Sequence, residues 1–394
     1  MDSPFITLNI AFIGAGQVNF GGGEGPWNHS KRVEMLKTVN KGGVVTHINF
    51  KVVAIVDPWG ERLQQVLDDR HKNSTDPSMW TDTQLFTDYM EMLEKIPKID
   101  AVFIGVPPES HGSNRAGLDI ELQCARRKIH CFVEKPLSCY PLSEVNEVAR
   151  ELDELVNKHK LVISVGYMFR YSAAVRKMKE IIAQYGTPRV FNARYNCAYT
   201  QIVKKEWWDN DKCGGPIVEQ ATHFCDLARY IVGEVDLDSV FAYGIHQADP
   251  LGKLNDQGAN VVAFEETIPP ERKTMRSTAA VWKFQSGALG TLTHGVLLHG
   301  GAYETELEVW GDGYRMALLE PYTKCKLSCR FPDSEEVKIF EFYNEDVYYE
   351  EDKVFFEAIV NGGDLKDIAS PYADSIQTYR LTWKIRESSE KNRK

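Results

Sequence analysis

Short apolar runs alternate with helical stretches over the first 165 residues, and this alternation constrains the fold more than any other feature of the sequence. The runs LNIAFIGAG (8–16), AVFIGVP (101–107) and LVISVGYMF (161–169) are continuously apolar, whereas KRVEMLKTV (31–39) has apolar residues at helical spacing. Continuously apolar strands are typical of a parallel sheet that helices cover on both faces. The pattern therefore predicts a doubly wound parallel sheet with ligand sites at the carboxyl ends of its strands.

The pattern changes after about Tyr185, where strand-like runs such as SVFAYGIHQ, ANVVAFEE (259–266) and STAAVWKF follow one another with few helices between them. Such runs indicate a large open, mostly antiparallel sheet. One helix is predicted over 214–234, and another over about 372–389, which we expect to pack back on the core. We therefore predict an α/β protein with a Rossmann domain over residues 1–165 and a C-terminal α+β domain over residues 166–394.

Composition and charge exclude several classes of protein. The 394 residues include 46 Lys and Arg against 56 Asp and Glu, which gives a formal net charge of −10 and argues against a nucleic-acid partner. No apolar run reaches the length of about 18 residues that a membrane-spanning helix needs, and Asp2 stands where a secretory signal would be basic. The eight cysteines form no C-x-x-C pair, so we expect no metal site and a cytoplasmic location.

The first apolar strand ends in Gly14-x-Gly16, which is how a loop that binds the pyrophosphate of a dinucleotide begins. The usual third glycine is missing, because Asn19 occupies its place and the glycine-rich stretch GGGEGPW follows. The residues alone leave three interpretations open: a damaged cofactor loop, an enlarged one, or a coincidence.

Asp57 ends the next strand, where an acid binds the ribose hydroxyls of NAD and repels the 2′-phosphate of NADP. It lies 41 residues after Gly16, about twice the usual separation. We expect NAD rather than NADP as the cofactor, although Arg62 lies close enough in sequence to weaken this preference.

Two further motifs carry groups that could take part in chemistry. Glu134 and Lys135 end a buried strand, and the following Pro136 favours a cis peptide or a sharp turn. Glu219 and His223 are four residues apart, on one face of the predicted helix, and a carboxylate beside an imidazole can tune a general base. The alternatives are a solvated lysine at a strand end and a helical histidine that happens to have acidic neighbours.

Taken in order, these motifs resemble the Gfo/Idh/MocA oxidoreductases, the family of glucose–fructose oxidoreductase and inositol dehydrogenase. The resemblance covers nearly the whole chain. It rests on Gly14-Ala15-Gly16, VPPESH (106–111), Glu134-Lys135-Pro136, GYMFRY (166–171) and the segment from Gly214 to Asp226 with DLARYIVGE at its end.

The resemblance implies roles for individual residues. Lys135 contacts the reacting hydroxyl or carbonyl, His223 is the acid or base, and Glu219 stands where the family commonly has an aspartate. The implied cofactor-binding residues are Gly14, Gly16, Gln17, Asp57, Arg62, Pro107, His111, Glu134 and Lys135. The implied substrate-binding residues are Lys135, Tyr167, Arg170, Trp208, Glu219 and His223.

The resemblance also favours an enlarged first loop, because the family usually has a histidine soon after the glycines. Here that residue is His29, seven residues later than the family pattern places it, which predicts an insertion within residues 17–30. We hypothesise that GGGEGPW reaches over the cofactor or the substrate cleft, where Trp27 stacks. The alternative is a surface insertion without a role.

The activity that the resemblance implies is NAD(H)-dependent hydride transfer to or from a secondary alcohol or ketone of a sugar, a sugar derivative or a cyclitol. We expect a homodimer or homotetramer, because a large open sheet has an outer face to bury. One alternative is a regulatory protein of the same fold that senses NAD(P) without catalysis. Another is a reductase that acts on a substrate other than a sugar.

Overall fold

The computed structural model describes residues 5–23, 25–198, 205–246, 249, 267–298 and 303–393. The chain divides into two compact units. The first unit is Met1–Met168 with Asp346–Ile376, and the second is Phe169–Glu345 with Gln377–Lys394. A single division after residue 165 therefore does not describe the chain, because a later segment belongs to the first unit.

The first unit contains the predicted parallel sheet. Its strands are β1 (Ile6–Ile13), β2 (Thr38–Lys41), β3 (Val44–Val56), β4 (Gln84–Phe86), β5 (Ala101–Ile104), β6 (His130–Val133) and β7 (Ile163–Val165). The strand order is β2-β3-β1-β5-β6-β7, with β4 also pairing with β3. All pairs are parallel except β2 with β3. The connections change direction at β1, so the carboxyl ends of β1 and its neighbours form the place where such sheets bind ligands.

The second unit contains the predicted open sheet. Its strands are β8 (Val190–Ala198), β9 (Val235–His246), β10 (Met275–Phe284), β11 (Leu289–Leu298), β12 (Glu304–Gly311), β13 (Tyr314–Leu319), β14 (Lys326–Arg330) and β15 (Val337–Glu341). The order is β15-β14-β13-β12-β8-β11-β10-β9, and only β8 with β11 is parallel. The predicted fold class is therefore confirmed. The run ANVVAFEE lies outside the described residues.

The helices cover the sheets and provide the turns of the site. They are α1 (Gln17–Phe20), α2 (His29–Met35), α3 (Gly60–Asn73), α4 (Tyr89–Lys95), α5 (Ile120–Arg126), α6 (Leu142–His159), α7 (Ala173–Tyr185), α8 (Asn210–Cys213), α9 (Thr222–Val232), α10 (Val347–Val360) and α11 (Tyr372–Lys391). A π-helical turn over Ile217–Ala221 leads directly into α9. No helix among the described residues is both long and apolar enough to cross a membrane.

Helix α10 explains why the chain returns to the first unit. Its Phe355 and Phe356 are fully buried and join the core formed by the central strands. The Phe356 ring lies 4.5 Å from that of Phe50, and the Phe355 ring lies 5.8 Å from that of Phe103. Burying an aromatic side chain of this size contributes about 1.5–3 kcal/mol to the free energy of folding, so the two phenylalanines stabilise the packing of α10 on this core.

Candidate functional site

The first turn follows β1 and requires glycine at its first position. Gly14 has φ +101°, and a Cβ there would collide with the carbonyl oxygen of Gly105 at the end of β5. Gly16 is different, because its φ is −80° and a Cβ there would meet no atom within 4 Å. The fold itself therefore needs glycine at position 14, whereas glycine at position 16 leaves open space beside the backbone.

Asn19 replaces the third glycine of the usual pattern and has a structural role of its own. Its side chain is fully buried, and its Nδ2 donates to the carbonyl oxygens of Gly14 at 2.8 Å and Ile13 at 3.3 Å. The usual glycine permits close packing of helix on strand. Here the amide fills that space and holds the turn by hydrogen bonds, which the sequence pattern did not predict.

The glycine-rich segment after α1 folds against its own neighbours. A Cβ at Gly22 would collide with the side chain of Gln17, so Gln17 lies against this segment. Trp27 is half-buried and lies near Tyr348 of α10. Glu24 lies outside the described residues. The hypothesis that this segment reaches over a cofactor stays a prediction, as does a cofactor contact for Gln17.

Asp57 and Arg62 hold the first turn from the side of β3 and α3. The Asp57 Oδ2 accepts the N–H of Ala15 at 2.8 Å, and its Oδ1 accepts that of Trp59 at 3.0 Å. The Arg62 Nε donates to the carbonyl oxygen of Ala15 at 3.0 Å. The carboxylate thus lies at the turn, where an acid that binds a ribose is expected.

The loop after β5 carries Pro107 and His111. His111 is only 2% exposed, and its Nδ1 is hydrogen-bonded to the Glu121 carboxylate at the start of α5. Gly112 has φ +71° and approaches the carbonyl oxygen of Leu137, so the loop packs against the segment after β6. This burial favours an anchoring role for His111, and its predicted cofactor contact remains untested.

Glu134 and Lys135 follow β6, and the Lys135–Pro136 peptide is cis, one of the two geometries that the sequence predicted. Lys135 is half-buried, and its backbone N–H donates to the Glu134 Oε2 at 3.2 Å. The Glu134 Oε1 lies 3.0 Å from the Nε2 of His29, and the His29 Nδ1 lies 2.8 Å from the Oδ1 of Asp352. The sequence analysis did not predict the contact between His29 and Asp352. The one sequence feature that pointed to it was the position of His29 after the glycine-rich insertion.

In the second unit, Glu219 lies in the π-helical turn and His223 in the first turn of α9, and both side chains are buried. The His223 ring packs edge-on against Phe169 at 5.7 Å and Tyr322 at 6.2 Å. Single π-helical turns inside helices occur frequently at functional sites. The sequence predicted an ordinary helix here, because nothing in its apolar spacing marks the wider turn.

A second histidine of this unit was missed. His294 on β11 is buried, and its Nε2 lies 3.0 Å from the Oε1 of Gln220, which also accepts from the Cys197 Sγ at 3.3 Å. Burial lowers the pKa of His294 to about 3, so the ring is neutral and its Nε2–H is the donor. The Tyr195 ring lies 5.4 Å from the His294 ring, which places an aromatic face beside these polar groups.

Three of the predicted substrate contacts lie in the interior of the protein. Arg170 is 3% exposed, and its Nη2 and Nε donate to the two oxygens of Asp226 at 2.6 and 2.8 Å. Asp226 also accepts from the Thr378 hydroxyl at 2.9 Å. Tyr167 and Trp208 are each 1% exposed. These positions favour packing roles for the three side chains, and their predicted contacts with substrate are untested.

No group of three or more His, Cys, Asp or Glu side chains is arranged to hold a metal ion in the part of the chain that the structure describes. All eight cysteines are free and buried.

Comparisons with known proteins agree with this architecture. Residues 8–167 match the model of an oxidoreductase family with an NAD-binding Rossmann fold, and residues 170–314 match that of an oxidoreductase C-terminal domain. An uncharacterised protein of Schizosaccharomyces pombe is 40% identical over 390 residues, which cover 97% of this chain and 91% of that protein. Myo-inositol 2-dehydrogenase of Thermotoga maritima is 27% identical over 240 residues, 59% of each chain.

A solved structure of levoglucosan dehydrogenase in complex with NADH and levoglucosan has a TM-score of 0.71 at 17% identity, and the match covers 98% of both chains. At this identity the likeness establishes the fold.

Proposed function

The chain belongs to the Gfo/Idh/MocA family of oxidoreductases, and we propose that it is an NAD(H)-dependent dehydrogenase that acts on a secondary alcohol or ketone. The proposed substrate is a sugar, a sugar derivative or a cyclitol. The observation that carries the proposal is the first turn, where Gly16 leaves open space beside the backbone and Asp57 places a carboxylate at the same turn.

The residues of the first turn fit a dinucleotide. A pyrophosphate must approach the backbone closely, and a glycine at position 16 permits that approach. The fold itself does not require glycine there, because a Cβ would meet no atom within 4 Å. Asp57 would accept hydrogen bonds from the adenosine ribose, and its charge disfavours a 2′-phosphate. When bound, the nicotinamide accepts or donates the hydride, while the protein supplies binding and proton transfer.

The chemical roles follow from residue type and from the family pattern. We assign His223 as the group that takes the proton from the substrate hydroxyl in the oxidation direction. Glu219 is assigned to orient the imidazole and to stabilise its charged form. The ammonium of Lys135 is assigned to stabilise the charge that develops on the reacting oxygen.

The substrate class is proposed from two relatives. One is named as a myo-inositol dehydrogenase, and another was solved with levoglucosan, so both act on or bind compounds rich in hydroxyl groups.

We also propose that the protein is a homodimer or homotetramer. The open sheet of the second unit exposes large apolar side chains, among them Tyr243 at 61%, Val281 at 44% and Trp310 at 43%. Exposed apolar patches of this kind mark interaction surfaces, and most oligomers are built from copies of one chain.

The test is to mix the purified protein with NAD⁺ and a panel of hexoses, uronates, glycosides and inositols, and to follow the absorbance of reduced nicotinamide. We expect turnover with one class of polyol and a loss of about a hundredfold or more in Lys135→Ala. Lys98→Ala is the matched control, because the Lys98 side chain is 67% exposed.

Tight NAD⁺ binding without turnover of any substrate would support the sensor alternative instead. Turnover of NADH with ketones or imines that are not carbohydrates would identify a reductase of the other alternative class.

A further inference from the structure

In the first unit, the buried side chains of Asp352, His29 and Glu134 form a hydrogen-bonded chain of three, which ends at the residue before Lys135. The His29 Nε2 lies 3.0 Å from the Oε1 of Glu134, and the Nδ1 lies 2.8 and 3.0 Å from the two carboxylate oxygens of Asp352. His29 is 1%, Asp352 1% and Glu134 7% exposed. These residues come from three distant places in the sequence, namely the start of α2, the end of β6 and the middle of α10.

The contacts define the charge of His29. When Asp352 and Glu134 are ionised, their oxygens can only accept, so both ring nitrogens carry a hydrogen and the ring is an imidazolium. Burial raises the pKa of Asp352, while the charge and the hydrogen bond of His29 oppose that rise. Burial opposes this charge, but the charges and hydrogen bonds of Asp352 and Glu134 outweigh it and raise the pKa of His29 to about 10.

The single charge of His29 is shared between Asp352 and Glu134, and Arg32, Glu351 and Tyr348 are further charged or titratable groups around it. The Arg32 Nε donates to Asp346 at 2.7 Å, and the Arg32 charge also acts to lower the pKa values of Glu351 and Asp352. Glu351 is fully buried, and neither of its oxygens has a hydrogen-bond partner among the described residues. Burial, followed by the charges of Glu134 and Asp352, raises the pKa of Glu351 well above its ordinary value, which favours the neutral form of this acid. Tyr348 is buried and neutral as well.

The surroundings strengthen the interaction between His29 and Glu134. The rings of Phe132 and Phe103 lie 4.8 and 5.2 Å from the imidazole, and such apolar walls exclude water. Charges that are shielded from water interact more strongly than charges at a surface. Gly166 leaves the space for the carboxylate, because a Cβ there would lie 2.8 Å from the Glu134 Oε1.

We propose that His29 is a positioning residue for Lys135. Its imidazolium engages one oxygen of Glu134 and offsets part of the charge of that carboxylate, while the other oxygen accepts the backbone N–H of Lys135. His29 thereby fixes the backbone at Lys135 and lowers the attraction of Glu134 for the Lys135 ammonium. The inference rests on the proposed function only in taking Lys135 as the reacting lysine.

The experiment measures the proton affinity of Lys135 without any cofactor. Lysines of the wild-type protein and of His29→Gln are dimethylated with ¹³C-formaldehyde and titrated by NMR, and Lys135→Arg identifies the signal. Glutamine retains a hydrogen-bond donor but no charge, so we expect the pKa of Lys135 to rise by about one unit. His47→Gln, the same exchange at an exposed position of β3, is expected to leave it unchanged. An unchanged Lys135 pKa in His29→Gln would overturn the proposal.

A second variant covers the case in which His29→Gln does not fold. In protein labelled with ¹⁵N-histidine, the His29 ring should stay doubly protonated up to about pH 9. In Asp352→Asn it should lose a proton at lower pH, and the pKa of Lys135 should follow it upwards over that range. A neutral His29 in the wild-type protein at pH 7 would overturn the proposal. Full dehydrogenase activity of Lys135→Ala would contradict the proposed function but would leave both titrations unaffected.

Discussion

Asp57 combines a structural and a selective role in one side chain. Its carboxylate accepts the N–H of Ala15, and it also places a negative charge at the turn where the adenosine ribose is proposed to bind. The two roles can be separated in large part, because asparagine keeps one acceptor oxygen for the N–H of Ala15, while it loses the charge and the second oxygen, which accepts the N–H of Trp59. Replacing Asp57 therefore tests the cofactor preference at the scale of one residue.

We expect Asp57→Asn to relax the preference for NAD over NADP. The negative charge that repels a 2′-phosphate is removed, so the ratio of kcat/KM for NAD⁺ to that for NADP⁺ should fall about tenfold or more. Steady-state kinetics with both cofactors measures the ratio. Asp57→Ser, which also shortens the side chain that accepts from Ala15, should lower kcat/KM for both cofactors in addition. An unchanged ratio in both variants would mean that Asp57 does not select the cofactor.

At the residue scale, the sequence reveals positions whose requirement is local. Gly14 could be predicted, because a positive φ and a close backbone approach leave no alternative to glycine. The partner of His29 could not, since Asp352 is 323 residues away and no pattern of spacing links two such positions. For the same reason the burial of Arg170 against Asp226 is visible only in the structure.

At the scale of elements, a hydrogen bond joins the π-helical turn to β11. Gln220 in the turn accepts from His294 on the strand, and both side chains are buried. Protonation of the other ring nitrogen would leave the Nε2–H in place, but it would bury a positive charge in this site, which burial opposes. The contact between the two elements should therefore be sensitive to acid.

We expect His294 to make the protein less stable as the pH falls. Burial lowers its folded-state pKa from 6.5 to about 3, so the folded protein binds fewer protons than the unfolded chain between these values. The contribution is complete above pH 6.5 and is lost as the pH falls, by about 2–3 kcal/mol at pH 4.5. Urea unfolding at pH 7 and 4.5 should show a smaller acid loss in His294→Gln than in the wild-type protein. The exposed His47→Gln is the control, and an equal loss in all three proteins would contradict the expectation.

Sequence periodicity predicted the kinds of elements better than their ends and partners. The helix expected over residues 31–39 ends at Met35, and Thr38–Lys41 form β2 instead. Those residues pair with the start of β3 in an antiparallel hairpin, and helical spacing does not report such a pairing. The parallel strands were predictable, because continuous burial leaves a continuous apolar run.

At the scale of the whole molecule, the outer face of the open sheet is the feature that an isolated chain leaves exposed. Buried and more exposed side chains alternate along the second half of β9 and most of β10, and the exposed set includes Phe241, Tyr243 and Val281. The sequence predicted an open sheet, but it did not show that its outer positions are this apolar. The apolar character of the outer face becomes visible only when the register of the strands is known, because the register determines which residues share a face.

Charge on this face should separate the proposed oligomer into monomers. Val281 is 44% exposed on β10, which lies next to the edge strand β9, so Val281→Glu would bury an unpaired carboxylate if two copies packed there. We expect wild-type protein at micromolar concentration to sediment as a dimer or tetramer and Val281→Glu to sediment as a monomer. Val44→Glu, at an exposed position of β3 in the first unit, is the matched control, since Val44 is 64% exposed. If Val281→Glu keeps the mass of the wild-type assembly, the copies associate through another surface. If the wild-type protein is itself a monomer at these concentrations, the exposed apolar face does not join copies of this chain.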